Sequence, residues 1–283
     1  MLDEPYQSAE ALAENHSTIP NEPSSSAPKD EKVTNLNAES WSKSSEEDKQ
    51  DACKPQDFGY DMYPERKGAR FTPTFTQILK GHGRENFDRA KCERKVLRAI
   101  EKYPLVKIMM SALKSSGCPV DIQRHIACEV CDTSVTGGYD VESNQIVVCQ
   151  NMCKLEGLVA GVLTHEMIHM FDYCKHKLDF KNIEHLACTE IRAANLTHCS
   201  FMSAIAQSDA SPFRIAKTHQ ECVKTKAAWS VESVRHVGIE EARRIVDKVF
   251  PQCYADLEPI GRRVRRNSGE EVLAYQEKRI YGY

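Results

Sequence analysis

The sequence predicts an α+β protein, mainly helical, with a small sheet ahead of one long apolar helix. Three observations carry that reading. Apolar residues recur at helical spacing through "CERKVLRAIEKYPLVKIMMSALKSSGCP", beginning at Cys92. A β-branched run, Gln145 to Cys149, follows the turn-rich string "SVTGGYD". An apolar stretch with the length of a helix then runs from Gly157 to about Lys175.

Taken in order, the ordered part is expected to begin near Phe58. Residues 1–57 are rich in Ser, Glu, Asn and Pro, hold thirteen acidic residues against five lysines, and offer little to bury. Ordering them costs more entropy than it returns, so they read as a disordered acidic tail. They do not read as a matrix presequence, which is Arg-rich, because the first arginine is Arg66. Met1–Leu12 lacks the apolar run of a secretory signal. Residues 58–283 then form a single domain.

Val96, Leu97, Ile100, Leu105, Ile108, Met109 and Leu113 predict two helices, about 90–103 and 105–115, broken by Pro104 and ended by Gly117. Residues 121–150 read as strands around a turn, and further helices are expected at about 183–200, 217–235 and 240–250. The end of the chain, from "EPIGRRVRRN" onward, reads as irregular and basic. No internal repeat is present.

With 283 residues, 41% of them hydrophobic, the chain is long enough for a sizeable core. A net charge of −3 argues against a dedicated nucleic-acid binder. The acidic tail accounts for −8, which leaves a mildly basic body suited to an anionic membrane surface. No stretch spans a bilayer: the best apolar run, Leu158–Phe171, is short and contains His165, Glu166 and His169.

Those three residues are the core of "THEMIHMFDYC", Thr164–Cys174. Histidines four apart share a helix face with Cβ atoms about 5–6 Å apart, so both imidazoles reach one zinc. Glu166, one step round the helix, is positioned to act as general base on a water polarised by that metal. The plainer account is a core helix with hydrogen-bonded histidines. Leu158, Val159, Val162, Leu163, Met167 and Ile168 make the helix a buried one, where unpartnered polar side chains are expensive.

A catalytic zinc usually takes three protein ligands. Glu190, in "HLACTEIRAAN" on the next predicted helix, is the expected third, an order that matches a zincin-like layout. Asp172 shares the face of His165 and His169 and is the rival. It is expected instead to accept the Nδ1–H of a ligand histidine, because three ligands on one straight helix converge poorly. The alternative fate of Glu190 is a salt bridge to Arg192. His176, His185 and His198 lie nearby in sequence and are assigned no role. "QIVV", residues 145–148, is the candidate edge strand for pairing with extended substrate, with a buried strand as the alternative.

Twelve cysteines require an explanation. Cys128/Cys131 and Cys149/Cys153 are spaced much like a four-cysteine zinc site; disulfides or unpaired thiols are the alternatives. Cys174, Cys188 and Cys199 flank the two site helices, and Cys222 and Cys253 lie in the C-terminal helices.

With those residues assembled, the chain resembles the mitochondrial inner-membrane zinc peptidase family that matures ATP synthase subunit a. The resemblance runs from about Tyr103 to Arg263. It is carried by "GC" (117–118), "CEVC" (128–131), "GGYD" (137–140), "QIVVCQN" (145–151), the Thr164–Cys174 motif, "HLACTEIRAANL" (185–196) and "VFPQCYADLEPIGR" (249–262). The resemblance implies a metalloendopeptidase with His165 and His169 on zinc and Glu166 as the catalytic glutamate. It implies peripheral attachment to the intermembrane-space face of the inner membrane, a protein substrate such as the subunit a precursor, and an oxidising compartment that favours disulfides. It also implies an alternative: a non-proteolytic chaperone for assembly of subunit a. The chain is expected to act as a monomer.

Overall fold

A computed structural model describes residues 59–68, 74–76, 85–199, 215–264 and 269–283, all within one compact unit, Cys53–Tyr283. The expected acidic tail, residues 1–57, lies outside the described residues. The architecture is α+β, mostly helical with a three-stranded sheet.

The first two helices are α1, Glu85–Lys102, and α2, Pro104–Ser115. Pro104 opens α2 at the position where its missing N–H costs nothing. A single helical turn, Ile122–His125, is capped by Asp121, whose carboxylate accepts from the amides of Gln123 and Arg124. The strands are β1 Ile126–Glu129, β2 Gly137–Asp140 and β3 Gln145–Cys149. The order is β1-β3-β2, with β1 parallel and β2 antiparallel to β3.

This order corrects one expectation. The strand containing "QIVV" is central, and Ile146, Val147 and Val148 are buried. Its backbone groups are already committed on both sides, so it is not the edge that pairs with substrate. The outer antiparallel strand is β2. The Thr136 carbonyl accepts from the Cys149 amide, while the next carbonyl, Gly137, accepts from the Tyr63 hydroxyl at 2.7 Å. Since backbone groups alternate along a strand, those of Gly137 and Tyr139 point away from β3.

Helix α3, Glu156–His176, packs on α1 and α2 and on the sheet. The short connection after it includes Lys177 in a left-handed conformation, φ 50°. Asn182 then caps α4, Ile183–Ala193, accepting from the amides of Glu184 and His185. A π-helical turn, Ala194–His198, follows, so the helix expected to run to Ser200 changes pitch early. Helices α5, Ile215–Arg235, and α6, Ile239–Ala255, close a second core with α4. The first core lies between α1, α2, α3 and the sheet, with Leu163, Met167, Ile168 and Phe171 fully buried. Each such side chain contributes roughly 1.5–3 kcal/mol.

The end of the chain is more ordered than its composition implied. Helix α7, Glu270–Glu277, lies on α2 with Ala274 buried, and Lys278 donates to Ser111 at 3.0 Å. Its eight residues carry little periodic signal; packing on α2 holds them helical. Helix α6 likewise continues past its expected end at Phe250, through Pro251 to Ala255, because Cys253 is anchored to α4.

Five disulfides staple these elements: Cys92–Cys128, Cys118–Cys174, Cys131–Cys149, Cys188–Cys253 and Cys199–Cys222. Each contributes about 2–4 kcal/mol by restricting the unfolded chain. They dissolve the four-cysteine zinc alternative: Cys128 is taken by Cys92, Cys131 by Cys149, and the buried Cys153 thiol donates to the Thr136 carbonyl at 3.2 Å.

Candidate metal centre

Helix α3 is apolar on nearly every side, so it is buried as a whole and carries its polar motif into the protein. His169 is 4% exposed and Glu166 7%. Because α4 doubles back after the Asn182 cap, Glu190 arrives beside the two histidines and is also 7% exposed. The structure brings together His165, His169 and Glu190. The His165 and His169 Nε2 atoms are 3.2 Å apart. His165 Nε2 lies 3.7 Å from Glu190 Oε2, and His169 Nε2 lies 3.6 Å from Oε1.

These separations fit a metal ion. Ligands about 2.0–2.1 Å from a tetrahedral centre stand about 3.3 Å from one another. The hydrogen bonds behind the rings fit it as well. Thr189 donates its hydroxyl proton to Asp172 Oδ2 at 2.7 Å. Its oxygen, 2.9 Å from His169 Nδ1, therefore accepts the Nδ1–H and leaves a lone pair on Nε2. Thr197, carried round by the π-helical turn, gives its proton to the Ala193 carbonyl at 2.6 Å and faces His165 Nδ1 at 3.5 Å. Both imidazoles thus bring Nε2 to one point, and the tautomer set on His169 leaves its Nε2 lone pair available there to a cation.

Asp172 does not join the donors. It is 2% exposed and reaches His169 through Thr189 instead of directly, which modifies the expected contact. Its other oxygen lies 3.1 Å from the Arg192 guanidinium, which also contacts Asp256 at 2.5 Å. Arg192 is therefore paired with these aspartates, and the expected alternative for Glu190 does not form. His176 lies 3.6 Å from Glu258, and the His185 Nδ1 accepts from the Asp179 amide, so neither is brought to the three donors. The side chain of His198 lies outside the described residues.

Burial pushes the Glu166 carboxyl well above the usual range, and the charge of Glu190 adds to it. Burial also pushes Glu190 up to about 7, against the pull of a hydrogen bond from Ser230. Carboxyls in this condition gain from a neighbouring cation.

A cleft of about 700 Å³ opens over this group, lined by His165, Glu166, His169, Glu190 and the backbone of β2. Gly137 has no room for a side chain: a Cβ there would stand 2.4 Å from Val162 of α3 and 2.7 Å from the Val147 carbonyl. The strand therefore lies directly on the motif helix. Sequence reasoning missed Thr189, Thr197, Ser230 and Tyr63. Only Thr189 had a signal, its position directly before Glu190.

The model of the Peptidase M76 family matches residues 90–261. The chain belongs to the Peptidase M76 family. A Danio rerio relative named mitochondrial inner membrane protease ATP23 homolog is 42% identical over 209 residues, 73% of this chain and 79% of its own. A Homo sapiens relative of the same name is 43% identical over 61% of this chain and 70% of its own. In Schizosaccharomyces pombe, mitochondrial inner membrane protease atp23 is 34% identical over 61% of this chain and 92% of its own. No solved structure matches the chain. This M76 chain is a metallopeptidase, and among the described residues His165, His169 and Glu190 form a group with the spacing to hold a metal ion. Among the described residues no helix is long and apolar enough to cross a membrane.

Proposed function

We propose that the chain is a zinc endopeptidase with a zincin-like catalytic domain over residues 58–283. The observation that carries this reading is the convergence of His165 Nε2, His169 Nε2 and the Glu190 carboxylate within one donor triangle. These three residues hold the metal, and Asp172 supports His169 through Thr189. Zinc, when bound, supplies Lewis-acid polarisation of the scissile carbonyl and makes water more acidic.

Glu166 is the proton carrier. Its buried carboxylate takes a proton from the hydrolytic water and passes it to the leaving amine. The raised affinity of a buried carboxyl for protons suits that role. The outward backbone edge of β2 at Tyr139, beyond the Gly137 carbonyl that Tyr63 occupies, pairs with the extended substrate chain in place of the central strand. One copy is the working unit, since all three donors come from one chain.

The names of the relatives support work at the mitochondrial inner membrane. Five disulfides support the intermembrane-space side, because such bonds persist in oxidising compartments. Attachment is peripheral. The substrate we assign, on the family resemblance, is the precursor of ATP synthase subunit a.

Elemental analysis together with a cleavage assay tests the reading. The wild type is expected to carry one zinc per chain. Glu166→Gln should keep it and lose roughly 10²–10⁴-fold in cleavage rate. His165→Ala and Glu190→Ala should lose the metal. Full zinc retention in Glu190→Ala would remove that residue from the ligand set.

A further inference from the structure

We propose that Phe180 and Trp229 form the subsite that selects an apolar side chain, of leucine to phenylalanine size, next to the scissile bond. The inference rests on the peptidase reading above and names the substrate feature recognised by that site.

Two features of the cleft carry it. The first is an aromatic cluster beside the metal centre. The Phe180 ring centroid lies 6.4 Å from that of His169, 6.0 Å from Tyr139 and 6.1 Å from Tyr173. These rings come from β2, α3 and the α3–α4 connection, so three separate elements place aromatic surface at one spot. They are held there. The Tyr139 hydroxyl donates to Asn144 at 2.7 Å, and the Phe180 carbonyl accepts from Arg235 of α5.

The second is an exposed indole. Trp229 is 56% exposed although its helical neighbours Ala227, Ala228 and Val231 are fully buried. Both Trp229 and the cluster line the cleft that contains His165 and Glu166. The next residue, Ser230, hydrogen-bonds Glu190, which fixes α5 against the metal centre. A large apolar ring left in water inside a catalytic cleft is the informative kind of exposure, because burying it rewards a ligand.

Phe180 also flanks Tyr139 of β2, whose backbone points away from β3. A substrate strand paired along that edge sends alternate side chains to one face, so an apolar residue next to the bond meets the aromatic wall. Discrimination of apolar side chains in such a pocket amounts to about ten- to two-hundred-fold.

The test uses the full oxidised chain loaded with zinc and a random peptide library, with cleavage sites read by mass spectrometry. Leu, Phe and Met are expected beside the cut bond at least about tenfold more often than Ser or Asp. Phe180→Ala and Trp229→Ala should abolish that preference by raising KM for the apolar peptides. Zinc content and kcat should be unchanged, and Trp229→Phe should restore the preference. Cleavage without apolar preference, or an equal loss on all peptides, would overturn the subsite. If the wild type cuts no peptide in a chelator-sensitive way, the peptidase reading fails by itself. The subsite is then judged by fluorescence anisotropy of labelled Leu- and Ser-containing peptides. Tighter binding of the Leu peptide that is lost in Phe180→Ala supports it, and equal binding overturns it.

Discussion

The His169 ring and the Thr189 hydroxyl lie 2.9 Å apart, and the direction of their hydrogen bond is set by a third residue. Thr189 has one proton and gives it to Asp172, so it must accept from His169 Nδ1. The tautomer that leaves Nε2 free to bind a metal is thereby chosen by a carboxylate that never touches the ring. Replacing Thr189 by Val removes both bonds at nearly constant shape. The expected outcome is a roughly 10–100-fold loss of zinc affinity, measured by competition with a chromophoric chelator. Thr189→Ser should retain most of it. Unchanged affinity in the Val variant would leave the relay without a role.

Arg192 and Asp172 form a buried ion pair behind the metal centre, and Asp256 shares the guanidinium. Arg192→Met leaves Asp172 buried with one partner fewer. A loss of about 3–5 kcal/mol in unfolding free energy is expected. Combining it with Asp172→Asn should cost clearly less than the sum of the single changes, since the charge to be compensated is gone. Additive losses in denaturant titrations would mean that the two side chains act independently.

Among the described cysteines, Cys153 alone is outside a disulfide, and burial pushes its thiol up to about 11. Raising the pH increases the thiolate. At pH 8 only about one thiol in a thousand is ionised, and thiolate is the reactive form. Native unreduced protein should therefore show no fast alkylation at Cys153, while denatured unreduced protein should be alkylated there. Peptide mapping should find the ten bonded cysteines protected. Alkylation of Cys128 or Cys149 without reductant would contradict the pairing.

Much of this protein was legible along the chain. The period of the apolar residues located α1 to α6, because a buried helix face imposes its spacing on the sequence. His165 and His169, four apart on α3, are a local pattern that one helical turn brings together. Tertiary structure alone decided the rest. Strand order is a relation between segments, so the placement of β3 at the centre and β2 at the edge left no mark within "QIVV". Cysteine partners depend on which elements meet, and Cys128 bonds Cys92 across 36 residues instead of its near neighbour Cys131. The approach of Glu190 and Thr189 to the histidines needed α4 to fold back on α3, and the cleft needed Trp229 and Phe180 brought to it from separate elements. Sequence periodicity records which face of a segment is buried; it does not record what that face is buried against.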